Sequence, residues 1–230
     1  MPGWPVLRGA QNMKKINKTD LAVLTLCVLM FTVPAAFLPW MPERIPVHWG
    51  IDGEIDGWAT RGGIFLGPLM GLGTCLLLKI LPAIDPKKKN YQKFGRGYDM
   101  TRLCMALFFF FMQCLTLYSA FYPESPLEIW RLISVGVGVL LCVMGNFMPQ
   151  FRHNYFVGIR TPWTLASEPC WRRTHRLAGP LWFWGGILLA LMSLFFGSRM
   201  LFAAMLVLVC VITAIPCIYS YIIYKKEPDN

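Results

Sequence analysis

The chain has 230 residues, of which 56% are hydrophobic and 15% charged, and a formal net charge of +10. A soluble domain carries about 25% charged residues. Here the apolar residues fall in blocks rather than at a period of 3.6 or 2, which excludes an ordinary water-soluble domain and makes lipid the solvent for most of the chain. The positive charge invites a nucleic-acid partner, but its placement follows membrane orientation, so no direct nucleic-acid contact is expected.

In chain order, residues 1–20 form a tail. Its first twelve residues differ in character from the remainder of the chain, and Met13-Lys14-Lys15 reads as an ordinary bacterial membrane-protein start. Six apolar blocks come after the tail: Leu21–Trp40, Gly63–Leu81, Leu103–Phe121, Ile129–Phe147, Ala178–Phe196 and Met200–Ile222. Each has about the 20 residues that a hydrocarbon core requires. Each must be helical, because lipid offers no partner to free backbone groups. The first block is too long for the apolar region of a signal peptide and no A-x-A site comes after it, so it reads as a retained helix. The expected fold class is all-α: a polytopic membrane protein with six transmembrane helices.

Lys and Arg set the orientation. With the N-terminus in the cytoplasm, the outside segments hold Arg44, Arg61, Arg131 and Arg199, and the rest of the 22 basic residues lie inside. The positive-inside rule then puts both termini in the cytoplasm. This divides the chain into a two-helix N-terminal membrane domain (21–81) with an acidic outside loop (41–62), a basic inside loop (82–102), helices 3 and 4 (103–147), an Arg- and Trp-rich inside loop (145–179), helices 5 and 6 (178–222) and an inside tail (223–230). The Lys87-Lys88-Lys89 run reads as an inner-leaflet anchor.

The outside loop, PERIPVHWGIDGEIDGWATR, inverts the charge balance with Glu43, Asp52, Glu54 and Asp56. Pro42 and Pro46 fix an extended entry, and Gly50, Gly53 and Gly57 permit turns. Asp52 to Gly57 imitates the start of a calcium loop, but the twelfth position is Gly63 rather than Glu. His48 is expected to hydrogen-bond within a compact, turn-rich loop, so neither a metal nor a cofactor is expected.

Gly145–Gly179 is too polar to span a membrane and holds Arg152, Arg160, Arg172, Arg173 and Arg176. Gly145-Asn146 suits the C-cap of the fourth span, with Pro149 stopping it. Pro162 drives Thr161 out of the helical region, predicting an extended or turned Gly158–Trp163. Ser167 suits an N-cap, with Glu168 and Pro169 in the first turn. A short amphipathic helix from Glu168 toward Leu177 would lie at the inner leaflet with Trp171 and His175 on one face. Two readings stay open: a lipid-facing collar, or a collar that also holds a partner.

Chemistry-bearing patterns are sparse. Seven of the eight Cys lie in or at the edge of spans and Cys170 lies in the inside loop, so free apolar thiols are expected. Cys170 and His175 are off a common helical face and no oxyanion-hole glycine motif accompanies them, which argues against an enzyme. The spans carry almost no ionisable residues, which argues against an ion-coupled transporter.

Two stretches carry a family likeness. Pro42-x-x-Ile45-Pro46-x-His48-Trp49 followed by Gly53-x-x-Asp56-Gly57 resembles a short N-terminal membrane domain of unknown function found in many Firmicutes membrane proteins. Gly145-Asn146-x-x-Pro149, then Asn154-Tyr155-Phe156-x-Gly158-Ile159-Arg160-Thr161-Pro162-Trp163-Thr164, then Trp171-x-x-Thr174-His175-Arg176, is similar to the signature of the SdpI family. The resemblance implies a bacterial cytoplasmic-membrane protein that confers resistance to a secreted peptide toxin and relays its presence by holding an ArsR-type repressor. On that reading, toxin recognition falls to Pro46, His48, Trp49, Asp52, Gly53, Glu54 and Asp56. The cytoplasmic partner would meet Asn154, Gly158, Arg160, Thr161, Pro162, Trp163, Trp171, Arg172, His175 and Arg176. A lipid-binding envelope protein is the alternative from another class, with a membrane enzyme or small-solute transporter behind it.

Overall fold

The computed structural model describes residues 17–226 apart from Pro126; the reading of residues 1–12, the start at Met13 and the end of the C-terminal tail lie outside the described residues. Six helices are long and apolar enough to cross a membrane, and the polytopic helical class follows directly from them. They are α1 (Lys18–Phe37), α2 (Leu66–Ile84), α4 (Gly95–Phe121), α5 (Ile129–Phe147), α7 (Glu168–Phe195) and α8 (Ser198–Lys226). Two short helices, α3 (Lys88–Tyr91) and α6 (Pro162–Ala166), lie between them.

Local chemistry sets the ends. Asn17 caps α1: its Oδ1 accepts from the Asp20 amide at 2.7 Å, and the Asp20 carboxylate accepts from the Asn17 amide in return. The helices continue through Pro34, Pro82, Pro180 and Pro216. Along α1, Val23, Cys27 and Met30 turn inward onto Cys75 of α2 and Ala106 of α4. At one end of this trio, Asp20 accepts from Lys79 (2.6 Å) and from Arg102 (2.8 Å), and Arg102 also reaches Asp99. One carboxylate thus ties three helices.

The second half is built on a seam of small residues. A Cβ at Gly138 of α5 would lie 2.7 Å from the carbonyl of Gly186 on α7, and one at Gly145 would lie 2.6 Å from the carbonyl of Gly179. Both pairs are seven residues apart on their helices, so the two backbones stay in contact for about two turns. This corrects the reading of Gly145 as a C-cap. α5 runs on to Phe147, and the 3-10 turn Met148–Gln150, with Pro149 inside it, ends the run.

The acidic loop is more ordered than a set of turns. It forms an antiparallel hairpin of β1 (Arg44–Trp49) and β2 (Ile55–Thr60), pairing Arg44 with Thr60, Ile45 with Ala59 and Trp49 with Ile55. The register slips on either side of His48, which lets Pro46 sit in a strand without a ladder amide. Ile45 anchors the hairpin in a cluster with Met41, Ile64 and Ala120.

Candidate functional site

Residues 151–167 fold into a plug against the α3 region and the ends of α7 and α8. Their polar groups are mostly spent internally. Asn154 is fully buried. Its Oδ1 accepts from the amides of Phe156 (2.9 Å) and Val157 (2.7 Å), and its Nδ2 donates to the carbonyls of Arg152 and Val157. Asp85, 2% exposed, accepts from the Tyr91 hydroxyl (3.0 Å), the Tyr155 amide (2.9 Å) and the Lys87 amide (2.6 Å). A buried carboxylate this well supplied with donors holds the preceding α2 end, α3 and the plug in one register.

Two histidines are wired in opposite senses. His175 donates from Nδ1 to the Trp171 carbonyl (2.8 Å), and its Nε2 accepts from the Ile159 amide (3.0 Å). His153 donates from Nε2 to the Leu165 carbonyl (3.1 Å), and its Nδ1 faces Lys87 Nζ at 2.8 Å. These tautomers are assigned from the partners, since a carbonyl only accepts and an ammonium only donates. Burial, and then the Lys87 charge, push the His153 pKa below its usual value. The Trp171 indole stacks on His175 (4.1 Å between ring centres) and donates to the Phe151 carbonyl (2.9 Å).

Gly158 makes the closest approach. Its φ is +118°, and a Cβ there would strike the His175 ring. Both conditions admit glycine alone. Three residues on, Thr161 is extended and caps α6 in a reciprocal pair with Thr164, with Pro162 in the first turn. Gly158–Trp163 is therefore extended only as far as Thr161. The Thr161 hydroxyl also meets Ser220 of α8 at 3.0 Å.

The expected short helix at Glu168 is the start of α7, which runs unbroken to Phe195, capped as expected by Ser167 with a 3.1 Å bond from the Cys170 amide. Trp171 and His175 do share a face, but that face is fully buried against the plug rather than turned to lipid headgroups. Both ring nitrogens of His175 are engaged, so neither serves as a base toward Cys170.

The predicted partner residues therefore divide. Asn154, Thr161, Trp171 and His175 are inward and hold the plug, and Gly158 packs on the His175 ring. Arg160, Pro162, Arg172 and Arg176 are exposed, as is Arg173; Trp163 is half-buried, tilted on the Tyr221 ring at 5.0 Å. Arg160 donates to the Tyr155 carbonyl at 3.1 Å. Of the Lys87–Lys89 run, Lys87 turns inward over Tyr155 and His153, while Lys88 and Lys89 stay exposed. Sequence reasoning missed Asp85, Tyr91 and Thr164. The available signal was a lone acid at the head of a lysine run.

At the hairpin end, His48 Nδ1 meets Asp56 Oδ1 at 2.5 Å, and Asp52 pairs with Arg199 at the start of α8, which holds the Asp52 carboxyl below its usual range. Glu54 has no ion pair among the described residues. Pro46 is buried, Trp49 half-buried, and Gly53, with φ +82°, turns against the Trp130 ring.

Comparison with known proteins places these two regions. The model of the SdpI/YfhL protein family matches residues 150–220, and the model of a domain of unknown function, DUF1648, matches residues 25–72. The chain is 28% identical over 211 residues, 92% of its length and 98% of the relative's, to the Immunity protein SdpI of Bacillus subtilis (strain 168). No solved structure matches it. The plug and its two supporting helices coincide with the first of these matches, so this multi-pass membrane protein carries a region similar to the SdpI/YfhL family and resembles an immunity protein along nearly its whole length.

Proposed function

We propose that this chain is a membrane immunity protein that gives its host resistance to a secreted antimicrobial peptide. The observation that carries the reading is the likeness to an immunity protein over 92% of this chain and 98% of that one, together with the two family-model matches. In this reading the hairpin faces outside and meets the peptide, both termini are cytoplasmic, and the plug faces the cytoplasm. The exposed Arg160, Arg172 and Arg176, with the edge of Trp163, form the surface that holds an ArsR-type repressor. The buried plug residues keep that surface rigid rather than touching the partner. The likeness to an immunity protein also supports a non-enzymatic role.

The test is expression in a toxin-sensitive bacterium challenged with a panel of purified secreted peptide toxins. Survival with the chain, and killing without it, is the expected result for at least one peptide. Equal killing across the panel, with the protein shown to be in the membrane, would contradict the reading. It would favour the lipid-binding alternative, for which Lys88 and Lys89, lining with Arg102 a cavity of about 770 Å³, are the supporting observation.

A further inference from the structure

We propose that a cleft at the hairpin end binds an alkylammonium group, a lysine side chain or a free N-terminus. That the donor is a toxin peptide rests on the immunity reading; the site itself does not.

The cleft has a volume of about 340 Å³ and lies between the hairpin and the junction of α4 with α5. Its lining includes Trp49, Glu54, Ser119, Tyr122 and Trp130. Ser119 is 2% exposed, and its hydroxyl has no hydrogen-bond partner among the described residues. A helical serine ordinarily bonds the carbonyl four residues back. Ser134 does so to Trp130 at 2.9 Å, whereas Ser119 does not. A buried hydroxyl left open costs stability until a partner arrives, which marks it as a group waiting for a ligand.

The charges around it sort by availability. Glu128 is taken by Arg131 (2.7 Å), and the Ser125 hydroxyl by Tyr118 (2.7 Å). Asp52 and Asp56 have their own partners. Glu54, exposed at the rim, is the cleft's carboxylate with no ion pair among the described residues. The groups left open are thus one carboxylate at the rim, one acceptor hydroxyl in the wall, and the ring of Trp49, beside a Tyr122 ring that packs on Tyr118 at 5.2 Å. That set suits a cation. The neighbouring Trp130 already carries one, with the Arg131 guanidinium 4.7 Å from its ring centre. A planar guanidinium could pair with Glu54 at the rim, but its fork needs paired coplanar acceptors and the wall offers it only the single Ser119 hydroxyl. A compact ammonium with its alkyl stem along the indole needs only one.

The test titrates the full-length protein in neutral detergent with n-butylammonium and with n-butanol, its uncharged counterpart, followed by saturation-transfer NMR. The expected result is binding of the ammonium and not the alcohol. Glu54→Gln should weaken it about tenfold. Ser119→Ala should weaken it severalfold while leaving thermal stability unchanged or raised, since removing an unsatisfied hydroxyl relieves a cost. Equal binding of amine and alcohol, no binding of the amine, or indifference to Glu54→Gln each overturns the site. The two readings separate in cells: ammonium binding that depends on Glu54, with toxin protection intact in Glu54→Gln cells, keeps the cleft and removes the toxin as its occupant. Protection that needs Glu54 without any ammonium binding does the reverse.

Discussion

The Ile159 amide donates to Nε2 of His175 across 3.0 Å, joining the centre of the plug to the first turns of α7. With the other ring nitrogen bound to its own helix, the imidazole acts as a fixed acceptor rather than a titrating base.

His175→Phe keeps the stack on Trp171 but strands the Ile159 amide, so it should cost about 1–3 kcal/mol. Gly158→Ala should cost about 2 kcal/mol or more, because it adds left-handed strain to a collision with the same ring. Thermal unfolding in detergent measures both. A loss of protease resistance confined to residues 151–167 would place the damage in the plug.

Plug stability should depend on pH through His153. Its folded pKa lies below the ordinary value of 6.5, so an opened plug binds the proton first. Stability is therefore full above about 6.5, falls as pH drops below it, and levels off once the folded form also protonates. Lys87→Met removes the adjacent charge and should shrink that fall. Hydrogen exchange of the plug amides between pH 7.5 and pH 5 checks the direction.

The α5–α7 seam makes a paired prediction. Gly138→Ala puts a methyl against the Gly186 carbonyl and should cost about 1–3 kcal/mol or more. Gly73→Ala on α2 meets nothing within 4 Å and should be neutral or slightly stabilising. Thermal unfolding of the two variants side by side decides whether close backbone approach holds the second half.

Arg160 and Arg173 separate a partner surface from a lipid collar. Arg160→Lys loses the planar fork beside the Pro162 turn and should weaken repressor capture, while Arg173→Lys should be nearly neutral. Pull-down of the repressor with membranes carrying each variant reads the difference. Equal tolerance would leave the exposed arginines as a collar.

Features set by neighbouring residues are legible in the sequence, and those set by distant ones are not. Ser167 as a cap, Thr161 out of the helix, and Trp171 with His175 on one face all follow from spacing. That this face turns inward depends on Phe151, Gly158 and Ile159 being brought back onto it by the preceding loop. Asp85 looks like a stray acid among lysines because, although Lys87 and Tyr91 are close in sequence, the Tyr155 amide that draws it into the plug comes from 70 residues on. Gly145 reads as a cap for the same reason: the carbonyl that makes it indispensable belongs to Gly179. The hairpin is legible in principle, with β-branched and aromatic residues on both sides of a glycine turn, but the proline and the slips around His48 mask its alternation.

The immunity reading requires the hairpin and the plug to face opposite compartments, with the hairpin outside. Single cysteines at Asp52 and at Ala166, both exposed, report this when intact cells are treated with a membrane-impermeant thiol reagent. The account predicts labelling of Asp52→Cys in intact cells and of Ala166→Cys only after the membrane is opened. Labelling of both from outside, or of Ala166→Cys alone, would contradict it.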